Sequence, residues 1–178
     1  MRPAVRFTLD DADRAHAEWG ANCGPGALAA IMDMTLAEVR AYMCDFERKG
    51  YTNPTLMNDA LRSLGCSWRK LGVIWPKWGL VRIQWEGPWT KPGVPMRARY
   101  RHTHWVGSSY DLGDFKVFDI NCICIGGWVD FDEWKDNVVP WLLKETTPKA
   151  NGGWHVTHAL EIERRAREER AAPQQPEE

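Results

Sequence analysis

Hydrophobic spacing along the chain changes character once, near Gly65. Ahead of it, apolar residues fall at helical intervals. Leu56, Met57, Ala60, Leu61 and Leu64 recur at i, i+1, i+4, i+5 and i+8, which lays one apolar stripe along a helix over 55–64. Thr52-Asn53-Pro54 supplies a capping residue and then a proline tolerated in the first turn, and Gly65 closes the helix. Thr35-Leu36-Ala37-Glu38 reads as a capping box that opens another helix through 41–43. The small-residue run over 24–33 predicts an earlier helix. Residues 1–22 read as an extended entry loop with one helical turn near 11–18.

Beyond Gly65 the period becomes two. Val81, Ile83 and Trp85 alternate with Arg82 and Gln84. His104, Val106 and Ser108 share one strand face, with Trp105 and Gly107 on the other. Asp111-Leu112-Gly113-Asp114 reads as a hairpin turn, and 115–120 as the partner strand. A short helix is expected at 130–133, interrupted or kinked by Pro140. Trp154–Ile162 alternates again and predicts a final strand. Helices first and an antiparallel sheet second make the fold class α+β. Residues 1–162 form one expected domain, and 163–178, charged and then rich in Pro, Gln and Glu, an expected disordered tail.

Composition narrows the function classes. A net charge of −1 gives no general case for nucleic acid or membrane binding. No segment has the ~18 uninterrupted apolar residues of a membrane span, and the N-terminus lacks the apolar core of a signal peptide. The five cysteines, at 23, 44, 66, 122 and 124, are an odd number that suits a reducing cytoplasm better than a disulfide framework. Eleven tryptophans are many for this length, and they read as core or cleft wall. Compact size and Trp content suggest a phage or mobile-element protein.

The chemistry concentrates at Cys23. It stands in Trp19-Gly20-Ala21-Asn22-Cys23-Gly24-Pro25-Gly26-Ala27-Leu28, where a loop runs into a helix. A thiol there faces unpaired backbone N–H groups and the positive end of the helix dipole, and both favour the nucleophilic thiolate. Downstream come His104, in His-Thr-His-Trp-Val-Gly, and Asp119, in Lys-Val-Phe-Asp-Ile-Asn. Cys, His and Asp at element edges are the layout of a cysteine-nucleophile enzyme.

Each residue has a plainer reading. Cys23 could be a small buried residue at a helix start, and His104 a core-edge histidine. His102 lies on the same expected strand face, but Trp105-Val106 after His104 favours the latter. Asp119 could simply end a strand, and Asn121 is an alternative orienter for the imidazole. Cys122 and Cys124 with His155 and His158 invite a metal site, but Cys-x-Cys is not the spacing of structural zinc sites, so no metal and no cofactor is expected. Arg97, Arg99 and Arg101 read as the solvated face of a strand. Trp68, Trp75, Trp78, Trp85 and Trp89 read chiefly as packing, with some available to wall a cleft.

The order helix-borne Cys, strand-borne His, acid on the next strand resembles the papain-like cysteine peptidase clan. The likeness is greatest to the bacteriocin-leader (double-glycine) peptidases, over roughly residues 15 to 125. Their Asp-Cys-Gly-x-Ala-x-Leu run corresponds to Asn22-Cys23-Gly24-Pro25-Gly26-Ala27-Leu28, their His-aromatic-Val strand to His104-Trp105-Val106, and their acid to Asp119. Two short helices ending in a Gly-Leu-like turn are echoed between Gly50 and Gly65. The family's Asp-Pro is here Asp119-Ile120. Its glutamine six residues before the cysteine, whose amide helps to hold the oxyanion, is here Ala17. Such a donor is typically worth ~10²–10³ in kcat. Trp19, through its indole N–H, and Asn22, through its amide, are the candidate replacements.

The resemblance implies a papain-like fold and a cytoplasmic thiol enzyme acting on an acyl or amide bond of a peptide or protein substrate, as peptidase, deamidase or acyl transferase. The alternative is a catalytically inactive papain-like binding protein that holds a protein or nucleic-acid partner.

Overall fold

The computed structural model describes residues 4–163. The chain lays down five helices before its first strand: α1 (Leu9–Trp19), α2 (Cys23–Met32), α3 (Leu36–Arg40), α4 (Phe46–Lys49) and α5 (Pro54–Ser63). The α1 helix is three turns long where the sequence suggested one. Thr8 and Asp11 form a reciprocal capping box, with the Asp11 N–H donating to Thr8 Oγ1 (3.2 Å) and the Thr8 N–H to Asp11 Oδ2 (3.0 Å). Aspartate does here what glutamate does in the usual box, and the helix then buries Ala12, Ala15 and Trp19. The α3 helix ends at Arg40, short of the expected 41–43, and α4 follows in its own turn.

The α2 helix is apolar all round. Every residue from Gly24 to Ile31 is buried, as befits a helix enclosed by its neighbours rather than laid on a surface. Gly107 lets it approach the sheet, since a Cβ there would stand 3.2 Å from Ile31 Cδ1 and 3.0 Å from Phe118 Cβ.

The sheet contains β1 (Trp68–Lys70), β2 (Trp78–Trp85), β3 (Thr103–Asp111), β4 (Asp114–Phe118), β5 (Trp128–Asp130) and β6 (Trp154–Ile162). It is antiparallel throughout, in the order β1-β6-β2-β3-β4-β5. Leu112 and Gly113, at φ 47° and 86°, make the tight β3–β4 turn, with Asp111 opposite Asp114. Each sheet face carries its own core. Leu80, Trp105, Phe118, Trp128 and Leu160 pack with the N-terminal helices. Val81, Ile83, Val106, Val117 and Ala159 pack with Trp134, Val139, Leu142 and Leu143. The second layer comes from α7 (Phe131–Glu133), a π-helical stretch over Trp134–Val138 and α8 (Val139–Thr146). Pro140 lacks the N–H that would continue the α-helical ladder, and the widened turn lies just before it.

Three further expectations change. Arg97 and Arg99 lie on a helical turn, α6 (Met96–Arg99), begun by Pro95 and held by Arg99 Nε donating to the Val94 carbonyl (2.9 Å); they do not alternate on a strand. The strand expected over 115–120 ends at Phe118, and Ile120–Ile125 curls into a 3₁₀ helix capped by Asp119. Helices also follow the sheet's first strands, so the order is not simply helices and then sheet. The expected tail lies outside the described residues apart from Glu163. No helix among the described residues is long and apolar enough to cross a membrane.

Candidate active site

The Gly20–Asn22 loop delivers Cys23 to the start of α2. Asn22 caps the helix, its Oδ1 accepting from the Gly24 N–H at 3.3 Å, while its Nδ2 donates to the Gly50 carbonyl at 3.3 Å. Gly24 is required by close approach: a Cβ would fall 2.0 Å from Thr52 Oγ1. Gly26 is likewise seated on Ile120, beside Asp119, with a built Cβ 2.6 Å from Ile120 Cδ1. The helix carrying the thiol and the turn carrying the acid are thus packed directly together.

His104 enters from β3, opposite Ile83 of β2, and its ring stacks on Trp85 with centroids 5.9 Å apart. Its Nε2 lies 2.9 Å from Asp119 Oδ2. Asp119 is wholly buried and accepts three more bonds: Trp134 Nε1 at 3.0 Å on Oδ2, and the Asn121 backbone N–H (3.0 Å) and side-chain amide (2.8 Å) on Oδ1. Asn121 therefore holds the acid rather than the imidazole. With Nε2–H given to Asp119, Nδ1 is the nitrogen left for Cys23, which is hydrogen-bonded to His104 and to the backbone N–H of Trp105.

The charges follow from this geometry. Burial works against the Cys23 thiolate, but the His104 charge, its hydrogen bond and the Trp105 N–H outweigh burial and draw the thiol below its ordinary range. Burial also works against a charged His104, yet Asp119 and the thiolate hold it well above the usual imidazole value. For Asp119, burial is overcome by His104, Trp134 and Asn121, leaving its pKa at about 2. Both shifts run toward a thiolate beside an imidazolium, oriented by a carboxylate. Cys122, by contrast, is pushed up to about 12 by burial and by the charge of Asp119.

Cys23 and His104 open into a cleft of about 680 Å³. Its walls include His16 of α1, Trp85, Ile120, Asn121 and Leu142 of α8. Through Leu9, Ile123 and Cys124 it adjoins a second depression of about 610 Å³, lined by Val5, Phe7, Ile125 and Trp128. The accessible groove beside the thiol is thus largely apolar on one side.

Cys23, His104 and Asp119 come together, but the two oxyanion candidates are otherwise engaged. Trp19 is buried edge-on to Phe46, with ring centroids 5.6 Å apart, under the Arg40 guanidinium, and does not line the cleft. Asn22 does line the cleft, but its amide is turned to Gly50. Cys122 is buried and Cys124 exposed on the 3₁₀ turn, His155 pairs with Glu86 at 2.9 Å, and His158 lies beside Arg82. Among the described residues no three metal-ligating side chains gather.

Sequence reasoning missed His16, Trp85 as His104's stacking partner, and Trp134. His16 Nδ1 donates to the Ala21 carbonyl at 3.0 Å, tying α1 to the loop before the thiol. The Leu9, Ala12, His16 spacing on one helix edge could have revealed it, had α1 been read at full length. No local signal marks Trp134, which meets Asp119 only through the fold. Comparison with models of protein families gives no match, and neither does comparison with curated protein sequences.

Proposed function

We propose that this chain is a papain-like thiol enzyme that cleaves or transfers an acyl group from an amide bond, with a peptide or protein as substrate. The observation that carries the reading is the division of labour on one ring: His104 gives Nε2 to a buried carboxylate and leaves Nδ1 to the thiol. A residue placed only for packing has no need of that arrangement.

In this reading the Cys23 sulfur attacks the carbonyl carbon, and the bond's electrons move onto the oxygen. The backbone N–H of Cys23, in the first helical turn, has no intrahelical acceptor and is the nearest built-in donor for that oxyanion. As the tetrahedral intermediate collapses, the imidazolium of His104 gives its Nδ1 proton to the leaving nitrogen. Water, deprotonated by the neutral ring, or an acceptor amine then releases the acyl group. Asp119 fixes the tautomer and stabilises the cation, with Trp134 and Asn121 holding it in place. A second oxyanion donor can come from the α1 wall of the cleft, where His16 stands with its Nδ1–H already given to Ala21.

The alternative, a binding protein on this fold, draws support from Ala17 standing where the resembling peptidases have glutamine, and from the engagement of Trp19 and Asn22 elsewhere. Limiting iodoacetamide at neutral pH, followed by mass mapping, separates the two. The enzyme reading expects Cys23 to be labelled first among the five cysteines, and expects Cys23→Ala to fold normally without amide-bond activity. Preferential labelling elsewhere, or an unfolded Cys23→Ala, sinks it.

A further inference from the structure

On β2, the strand next to that of His104, lies a buried cation with no ion-pair partner among the described residues. Arg82 of β2 is only 6% exposed. Its Nη2 donates to Thr103 Oγ1 at 3.1 Å and its Nη1 to Thr157 Oγ1 at 3.5 Å, while its Nε has no acceptor among the described residues. No carboxylate forms an ion pair with it there; the acidic groups that bear on it are the Cys23 thiol and the Tyr100 phenol, whose ring centroid is 5.7 Å from the guanidinium carbon. Opposite it on β6 stands His158, whose Nδ1 is also buried and has no partner among the described residues.

This cluster is built by a local irregularity. The β2–β6 register shifts between Arg82 and Ile83, so that Thr157 falls out of the ladder beside Arg82, and its hydroxyl donates to the Arg82 carbonyl at 3.1 Å. Bulges of this kind re-aim side chains, and they concentrate near functional sites. On its other side Arg82 is paired with Trp105 of β3, the residue whose backbone N–H is turned to the Cys23 sulfur. Arg82 and the thiol are therefore both neighbours of one residue. Thr103, Thr157 and His158 are each only partly buried and Tyr100 is 40% exposed, and Thr103 also lines the cleft beside the thiol, so the cluster lies at the margin of that cleft.

A buried charge left unpaired is among the most costly features a fold can carry, and stable folds pair it or neutralise it. Two unused buried nitrogens beside it, one of them on the guanidinium, mark where the missing anion belongs. The guanidinium's fork matches a carboxylate, and its single permanent charge balances a monoanion rather than a phosphate dianion. We propose that Arg82, with His158 and Thr157, forms a subsite for a substrate carboxylate beside the reactive thiol. The inference rests on the reading of Cys23 as nucleophile, which makes a neighbouring anion site a specificity site. Two sources supply the same chemistry: an acidic side chain of the substrate, or its free C-terminal carboxylate.

Calorimetric titration of the full chain with three small probes tests this. N-acetylglutamine carries a free α-carboxylate, its isomer N-acetylisoglutamine carries a side-chain carboxylate, and the uncharged N-acetylglutamine amide carries neither. The expected result is at least tenfold tighter binding of one carboxylate isomer than of the diamide, and the preferred isomer names the source. Arg82→Gln should lose the preference, and Arg82→Lys should keep part of it. Should Arg82→Gln fail to fold, the Arg82 Nε–H signal in the NMR spectrum of the wild-type chain gives the reading. It should move with the preferred isomer and stay still with the diamide. Equal affinity for all three probes, no binding of any, or an unmoved Nε–H signal overturns the proposal. On Cys23→Ala, which removes the acidic thiol that also bears on the guanidinium, the preference for one carboxylate isomer over the diamide should persist or strengthen, so failure of this site and failure of the thiol's catalytic role are read separately.

Discussion

His104 Nε2 and Asp119 Oδ2 stand 2.9 Å apart, with the carboxylate wholly shielded from solvent. An uncompensated carboxylate in that position would be protonated. It stays ionised because four donors converge on its two oxygens, from His104, Trp134 and twice from Asn121. The acid is thus held by three separate segments, and the histidine's orientation inherits that rigidity.

The pair should write itself into the pH dependence of stability. Asp119 has its folded pKa depressed to about 2, so its contribution is present above its unfolded value near 3.9 and is lost as pH falls toward 2. His104 is raised, so its contribution is present below about 6.5 and is lost as pH climbs through its higher folded value. The interaction is therefore fullest between about pH 4 and 6.5. Thermal unfolding across pH should show a maximum there. Asp119→Asn should lower that maximum by about 2 kcal/mol and flatten its acid limb. An acid limb unchanged in the variant would mean that other carboxylates set it.

The thiol's own ionisation depends on the same ring. In the wild-type chain, alkylation of Cys23 should follow a pH profile with its midpoint below the ordinary thiol range, because His104 supplies both charge and hydrogen bond. His104→Ala removes both and leaves burial in control. The midpoint should then move above the ordinary range, with labelling at pH 6 falling by ~10-fold or more. Iodoacetamide kinetics with mass mapping measure it. A midpoint that does not move would detach the imidazole from the thiol.

Part of this arrangement was legible in the chain and part was not, for identifiable reasons. Alternation located β6 at Trp154–Ile162, and the Asp111–Asp114 turn placed β3 against β4. That pairing carries Asp119 back to the level of His104. It could not reveal that β6 inserts between β1 and β2, since period two fixes which face a residue takes and not which strand lies beside it. The full length of α1 is hidden in the sequence because its box closes with Asp11 in place of glutamate, and His16 is hidden with it. Trp19 was misplaced for the same reason. A loop would leave it free to face the thiol; as the last residue of a helix it follows Ala12 and Ala15 into the core. Asn121 reads from the sequence as an alternative orienter for the imidazole, since counting back from the turn sets it near His104, and the 3₁₀ turn redirects it to Asp119.

The α1 wall supplies a test of the oxyanion site. A neutral His16 has only a lone pair to offer at Nε2, since Nδ1–H is bound to Ala21. His16→Gln puts an amide, which donates at any pH, in the same wall. Under the enzyme reading kcat should rise by ~10-fold or more, with KM changed little, since a donor acting on developing charge favours the transition state. His16→Ala should give no such gain. A kcat identical in both variants would show that the α1 wall lies outside the reach of the oxyanion.

Gly24 links the packing to the chemistry. A methyl at this position would be built 2.0 Å from Thr52 Oγ1 and 2.5 Å from Thr52 Cβ, so Thr52 or the first turn of α2 must shift. Thr52 is itself tied down, its backbone carbonyl accepting from Trp105 Nε1 at 2.8 Å. Trp105 in turn carries the N–H that faces the thiol and follows His104 directly. Relief of the clash therefore moves either Cys23 or the strand that holds its base. Gly24→Ala should cost ~1–3 kcal/mol, the range of overpacked core sites, against the small gain that alanine normally brings to a helix. It should also slow Cys23 alkylation at pH 6. Thr52→Ser removes the methyl without removing the hydroxyl that lies closest, so it should not rescue the variant; Thr52→Gly should rescue both stability and labelling. Denaturant midpoints and alkylation rates for the single and double variants decide it. Lost stability in Gly24→Ala with labelling at the wild-type rate would show that the first turn of α2 can move without disturbing the pairing of thiol and imidazole.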